Sequence, residues 1–68
     1  MVDMERLKSK ITESGMTIPA IAERAHIKDY TLRRKLDGDG SNFTADEIVG
    51  LSRVLRLKAS ERNEIFLT

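Results

Sequence analysis

Apolar residues in this chain recur three and four positions apart, and no stretch alternates with the two-residue period of a half-buried strand. The pattern predicts an all-α fold of five short helices in one bundle. Met4, Leu7 and Ile11 form the first inward stripe, with Asp3 placed to cap its start and Gly15 to end it, so a helix is expected from about 3 to 14. Thr17 is expected to cap a second helix running to about Ala25. Pro19 falls in its first turn, where a missing N–H costs nothing, and Ile21, Ala22 and Ala25 make a small buried side. After a break at His26-Ile27, Leu32 and Leu36 define the inner face of a third helix from about Lys28 to Leu36.

Asp37-Gly38-Asp39-Gly40-Ser41-Asn42 is the one strong breaker, six turn formers in a row. Thr44 followed by Glu47 fits a capping box and starts a fourth helix to about Leu55, with Ile48, Leu51 and Leu55 inward. Ser60 is expected to cap a short last helix carrying Ile65 and Phe66. Nothing divides the chain, so residues 1–68 are read as a single domain. One tyrosine, two phenylalanines and no tryptophan leave the core mostly aliphatic.

Composition narrows the function classes. Without cysteine there are no disulfides, no thiolate zinc site and no cysteine nucleophile, and the single His26 cannot build a histidine metal site. No metal or other cofactor is expected. No apolar run approaches the ~20 residues of a membrane span, and the opening Met1-Val2-Asp3-Met4-Glu5 carries acids where an export signal carries bases. The expected location is cytoplasmic, in a bacterial or phage-infected cell. No nucleophile with a base, no phosphate loop and no metal cluster is legible, so an enzyme is not expected. The run Asp37-x-Asp39-x-Ser41 opens like a calcium loop, but with Asp37 at position one the sixth residue is Asn42 and the twelfth Ile48, where glycine and glutamate belong. It reads as a turn.

The net charge of +1 looks indifferent, yet its distribution does not. Between Lys28 and Leu36 four bases (Lys28, Arg33, Arg34, Lys35) stand against Asp29, a local balance of +3, while most acids lie elsewhere. The alanines of the second helix allow close approach to the third. With Ile27 plugging the angle and Leu32 and Leu36 anchoring it from below, the opposite face of the third helix is left free. A major groove about 12 Å wide accepts one such helix.

The run from Met16 to Gly38 resembles the lambda-repressor-like helix-turn-helix family, the phage Cro and repressor proteins and the XRE-type regulators. The marks are Thr17 at the cap, Ile21-Ala22 on the buried face, Ile27 in the turn, Thr31-Leu32 in the third helix and Asp37-Gly38 closing it. The resemblance implies a DNA-binding transcriptional regulator, a small Cro-like repressor, in which Lys28, Asp29, Tyr30, Arg33 and Arg34 read bases. Their chemistry suits the role: arginine forks onto guanine O6 and N7, Asp29 accepts from cytosine N4, and Tyr30 or Thr31 packs a thymine methyl. Asp29 near phosphates costs binding unless it meets a base donor or orients Arg33, four residues on. Thr17, Thr31, Lys35, Ser41 and Asn42 are the expected phosphate contacts.

Three features depart from the family. Ile18 stands where a phosphate-bracing glutamine is usual, leaving backbone N–H groups and Thr17 for that task. His26 stands where a left-handed glycine is usual, and histidine tolerates positive φ better than most residues. The loop after the third helix carries Asp39 and no base. Fewer phosphate contacts are therefore expected.

Near the C-terminus, Ile65-Phe66-Leu67 reads either as core or, with Leu55, as a dimer or partner surface; one helix cannot turn three adjacent residues inward, so at least one is expected to be exposed. A homodimer suits a reader of two half-sites one helical turn apart. The competing function is a protein-interaction module on the same fold, which pairs with an opposing repressor or acts as an antitoxin. Antitoxins usually carry an extra toxin-binding segment, not seen beyond Thr68, and the short length argues against a full repressor with its own oligomerisation domain.

Overall fold

A computed structural model describes residues 2–38 and 43–67. Five helices occur, in the order α1 (Met4–Ser14), α2 (Ile18–Arg24), α3 (Asp29–Asp37), α4 (Ala45–Val54) and α5 (Ala59–Phe66). No strand occurs among the described residues. Each helix gives the centre one large side chain with less than 2% of its surface exposed: Leu7, Ile21, Leu32, Leu51 and Ile65. Those are five of the positions marked by helical spacing, and burial of an aliphatic side chain of this size is worth about 1.5–3 kcal/mol. Ile11, Ala22, Ala25, Ile27, Leu36 and Phe66 complete the buried set.

The caps explain where the helices begin. Asp3 accepts from the Arg6 backbone N–H at 3.2 Å, and Gly15 ends α1 at φ 72°. Thr17 Oγ1 accepts from the Ala20 N–H at 3.3 Å, with Pro19 in the first turn of α2. At α4 the box is complete: the Glu47 N–H donates to Thr44 Oγ1 at 3.1 Å, and the Thr44 N–H donates to Glu47 Oε1 at 2.8 Å. Two boundaries differ from expectation. Lys28 is the N-cap of α3, not its first residue, and α5 starts at Ala59 after Lys58, so Ser60 lies inside the helix. There the Glu61 carboxylate accepts from the Lys58 N–H at 2.9 Å, which secures the start earlier than a Ser60 cap would.

The α2–α3 connection is a tight reversal. Ala25 closes α2, His26 takes φ 59°, and the Ile27 N–H donates back to the Ala22 carbonyl at 2.9 Å while the His26 N–H donates to the Glu23 carbonyl at 3.2 Å. This is a Schellman closure with histidine in the left-handed position that glycine usually takes. The positive φ expected of His26 is thus present. Ile27 is buried beside it.

Helix α4 crosses α2 where the chain carries no side chain. A Cβ on Gly50 would stand 2.8 Å from the Ala25 carbonyl oxygen, closer than real Cβ contacts come. One turn on, Arg53 Nη2 donates to the Arg24 carbonyl at 3.0 Å and satisfies an orphan acceptor at the end of α2. Along the other side of the molecule α1 and α5 are laced together. The Asp3 N–H donates to the Ile65 carbonyl at 2.7 Å, Arg6 pairs with Glu64, and Lys10 Nζ meets Glu61 Oε2 at 2.5 Å.

Candidate nucleic-acid interface

Helix α3 has two faces of opposite chemistry. Leu32 and Leu36 are buried, while Lys28, Asp29, Tyr30, Arg33 and Arg34 are all exposed. Tyr30 shows 74% of its surface, the most exposed of the large hydrophobic side chains among the described residues. With Leu32 and Leu36 fixed inward, Tyr30 and Arg34 fall opposite them and Arg33 on the flank, while Asp29 is exposed as the first residue of the helix and Lys28 as its N-cap. All five residues expected to read bases are therefore exposed on or beside α3.

Charge on that face is organised unevenly. Arg33 Nε donates to Asp29 Oδ1 at 2.9 Å, an i,i+4 ion pair with both side chains about half exposed. Arg34 has no hydrogen-bond or ion-pair partner among the described residues.

Lys35 does not belong to this face. Its Nζ meets Glu47 Oε1 at 2.5 Å with both side chains largely covered, and it sits 5.6 Å above the centre of the Phe43 ring. The expected phosphate contact at Lys35 is accordingly corrected. Three residues after Leu32, it flanks the buried stripe and turns toward α4, where the capping carboxylate of Glu47 is already held. Burial pushes the Glu47 carboxyl up, but the Lys35 ammonium and the Thr44 backbone N–H outweigh it and hold the group below its ordinary 4.5. The outward charge from 28 to 34 is thus three bases against one acid.

The other expected phosphate contacts divide. Thr17 is exposed, with its hydroxyl oxygen engaged as the cap of α2, and Thr31 is half-buried at the margin of α3. Ser41 and Asn42 lie outside the described residues, as does most of the Asp37–Asn42 turn. Ile18, in the place of the family's glutamine, packs against the core.

The C-terminal surface also needs correction. Ile65 and Phe66 are core residues, and Phe66 makes an edge-on contact with Phe43 at 5.9 Å between ring centres. Of the four residues expected there, Leu67 alone is well exposed, at 71%, with Leu55 half-buried against the core. Helix α5 is short and lies with its end on α1, so two adjacent residues fit inward and only the third turns out.

Two features have no local signal or only a weak one. Arg53 serves the end of α2 rather than solvent, a contact between distant residues that no local pattern announces. Val49 is 62% exposed beside a shallow groove lined by His26, Ile27, Asp46 and Gly50. Its exposure is legible, since it falls off the Ile48–Leu51–Leu55 stripe. A groove of about 450 Å³ lies between α1 and α5 and is lined mainly by charged residues, among them Asp3, Arg6, Lys10, Glu61 and Glu64. It is the seam of ion pairs between those helices, and none of its lining residues comes from α3.

No family model, curated protein or solved structure matches this chain. The functional character of its surface accordingly rests on its own residues. Among those described, no three histidines or carboxylates gather where they could hold a metal ion, and no helix is long and apolar enough to cross a membrane.

Proposed function

We propose that this chain is a sequence-specific DNA-binding regulator of the lambda-repressor-like helix-turn-helix kind, with α2 and α3 as the motif and α3 entering the major groove. The observation that carries the reading is the division of α3. Its inner face is closed by Leu32 and Leu36, and Lys28, Asp29, Tyr30, Arg33 and Arg34 stand exposed from its N-cap to its last turn. Cations, a carboxylate and an exposed aromatic ring supply donors, an acceptor and apolar contact for base edges. An ordinary solvated face has no need of a ring as exposed as Tyr30. The left-handed His26 supports the same reading, because it closes α2 and lets the chain pass to α3 through a connection of few residues.

Anchoring to phosphate is sparse. With Lys35 bound to Glu47, the expected contacts Thr17 and Thr31 remain among the described residues, beside the exposed bases Lys28 and Arg34. The regulator therefore draws more of its affinity from base contacts and from a second copy on an inverted repeat than from charge alone.

Selection of bound sequences from a random duplex library, beside a measurement of solution mass, tests this. The expected product is an inverted repeat bound in the nanomolar range, with affinity falling steeply as salt rises. Arg34→Ala should then weaken the selected site by about 10-fold or more and random duplex much less. Equal losses on both, or no selected sequence, would refute base reading by α3.

A further inference from the structure

We infer that Asp29 and Arg33 act as one specificity-determining unit that reads a guanine, an inference that rests on the duplex-binding reading above and names the base. The pair is joined through Arg33 Nε and Asp29 Oδ1 at 2.9 Å, with 54% and 48% of the two side chains exposed. An ion pair so open to water contributes little to stability. Its effect on geometry is greater.

Arginine carries five N–H donors in a planar fork. Tying Nε to the carboxylate fixes the plane of the guanidinium and leaves the edge formed by the terminal nitrogens, with two parallel donors, facing outward. Two adjacent acceptors on one base edge match that edge, and in the major groove guanine O6 and N7 are such a pair. Adenine places an amino donor where guanine has O6, so the same edge meets donor against donor. The second oxygen of Asp29 has no partner among the described residues, which leaves it to accept from the N4 amine of a cytosine at a neighbouring base pair. Where no amine is offered, the carboxylate faces groove and phosphates unpaired and weakens the complex. The unit thus favours a matching site and penalises others. Arg34, next in the chain, has no such restraint, and the fold does not fix which base it meets.

The test compares the 68-residue chain with Asp29→Asn and Arg33→Lys, both by library selection and by anisotropy titration of the selected duplex and its single-base variants. The parent should favour guanine at one position of each half-site by about 10-fold or more. Both variants should lower that preference to about threefold, while preferences at other positions stay. Asp29→Asn should also bind random duplex more tightly, because a negative charge leaves the face that meets phosphates. A pair that merely supported the helix would instead lower the thermal midpoint and weaken all duplexes alike, and that result would overturn the inference. Asp29→Asn with its guanine preference intact would overturn the unit while duplex binding stands. A parent chain that selects no duplex sequence would overturn both.

Discussion

The chain builds the same corner twice. From α2 to α3, Ala25, His26, Ile27 and Lys28 are the helix cap, a left-handed residue, an apolar plug and the next N-cap; from α4 to α5, Leu55, Arg56, Leu57 and Lys58 repeat those roles. Arg56 takes φ 54° against 59° at His26. The backbone bonds correspond as well, with Ile27 to Ala22 and Leu57 to Ser52 at 2.9 Å, and His26 to Glu23 and Arg56 to Arg53 at 3.2 Å. The helices that leave the two corners are treated differently. Helix α5 buries Ile65 and Phe66, and its acids Glu61 and Glu64 are engaged by Lys10 and Arg6 of α1. Helix α3 turns its aromatic residue outward and pairs its one exposed first-turn acid within itself. One backbone device therefore leads into two helices that are each buried on one side and exposed on the other, with acids tied to a neighbouring helix in α5 and an outward ring with cations in α3. The difference lies in the side chains alone, and it is what makes α3 the candidate reader.

The first corner meets α4 at Gly50, and breaking that contact should have the largest effect. Gly50→Ala gains about 1 kcal/mol of helix propensity but drives a Cβ to 2.8 Å from the Ala25 carbonyl, which is backbone and cannot swing aside. Overpacking of this kind costs about 1–3 kcal/mol, at the upper end here, so a net loss of about 2 kcal/mol is expected from urea unfolding. In a domain this small that is a drop of roughly 10 °C in Tm. A Tm unchanged or raised would mean that α2 and α4 are free to part, and that the first corner is not fixed against α4.

Much of this was legible in the residues. Local spacing located all five helices because each carries its apolar stripe and most carry a cap within three positions, as Asp3, Thr17 and Thr44 do. The outward face of α3 came from Leu32 and Leu36 by geometry. The errors fall where two distant elements meet. Lys35 reads as one more base in a basic run until α4 brings Glu47 beside it, and Ile65 and Phe66 read equally as core or partner surface until α1 and Phe43 cover them. Periodicity marks which side of a helix is apolar but not what lies across from it. The doubled corner has no local signature either, because glycine, the usual sign of a left-handed residue, is absent from both copies.

The likeness of the corners makes a sharper, smaller prediction. A left-handed conformation costs a residue with a Cβ about 1–2 kcal/mol, and glycine gives back part of that relief through its freer unfolded chain. His26→Gly and Arg56→Gly should each raise stability by about 0.5–1 kcal/mol, and by similar amounts, as read from paired thermal melts. A gain at one corner only would show that its side chain holds the turn by contacts beyond backbone geometry. If α3 reads duplex DNA, neither change should alter the selected sequence, since both leave the outer face of α3 as it is.

The smallest effect is a pH dependence that separates the clips beside the two corners. Glu47 joins α3 to α4 through Lys35, and Glu61 joins α1 to α5 through Lys10. The hydrogen bond from Lys10, with that from the Lys58 backbone, holds the Glu61 carboxyl below its ordinary 4.5, as Glu47 is held. The hydrogen bond to Glu61 raises the Lys10 ammonium above 10.5. Groups lowered in the folded state contribute stability above the unfolded value and lose it as pH falls through the folded one, because the unfolded chain then binds more protons. For Lys10 the sign reverses: its contribution is complete below 10.5 and is lost as pH rises past its folded value. Stability should therefore be level between about 5 and 10 as far as these clips are concerned, and should decline below 4.5. Glu47→Gln and Glu61→Gln should each flatten part of the acid decline in thermal midpoint measured from about pH 5 to about pH 3. The Glu47 change should flatten it more, because its pair is the better covered of the two, at 11% and 16% exposed against 31% and 29%. Parallel curves for the parent and both variants would remove the carboxylate clips from the account of how the two corners are held.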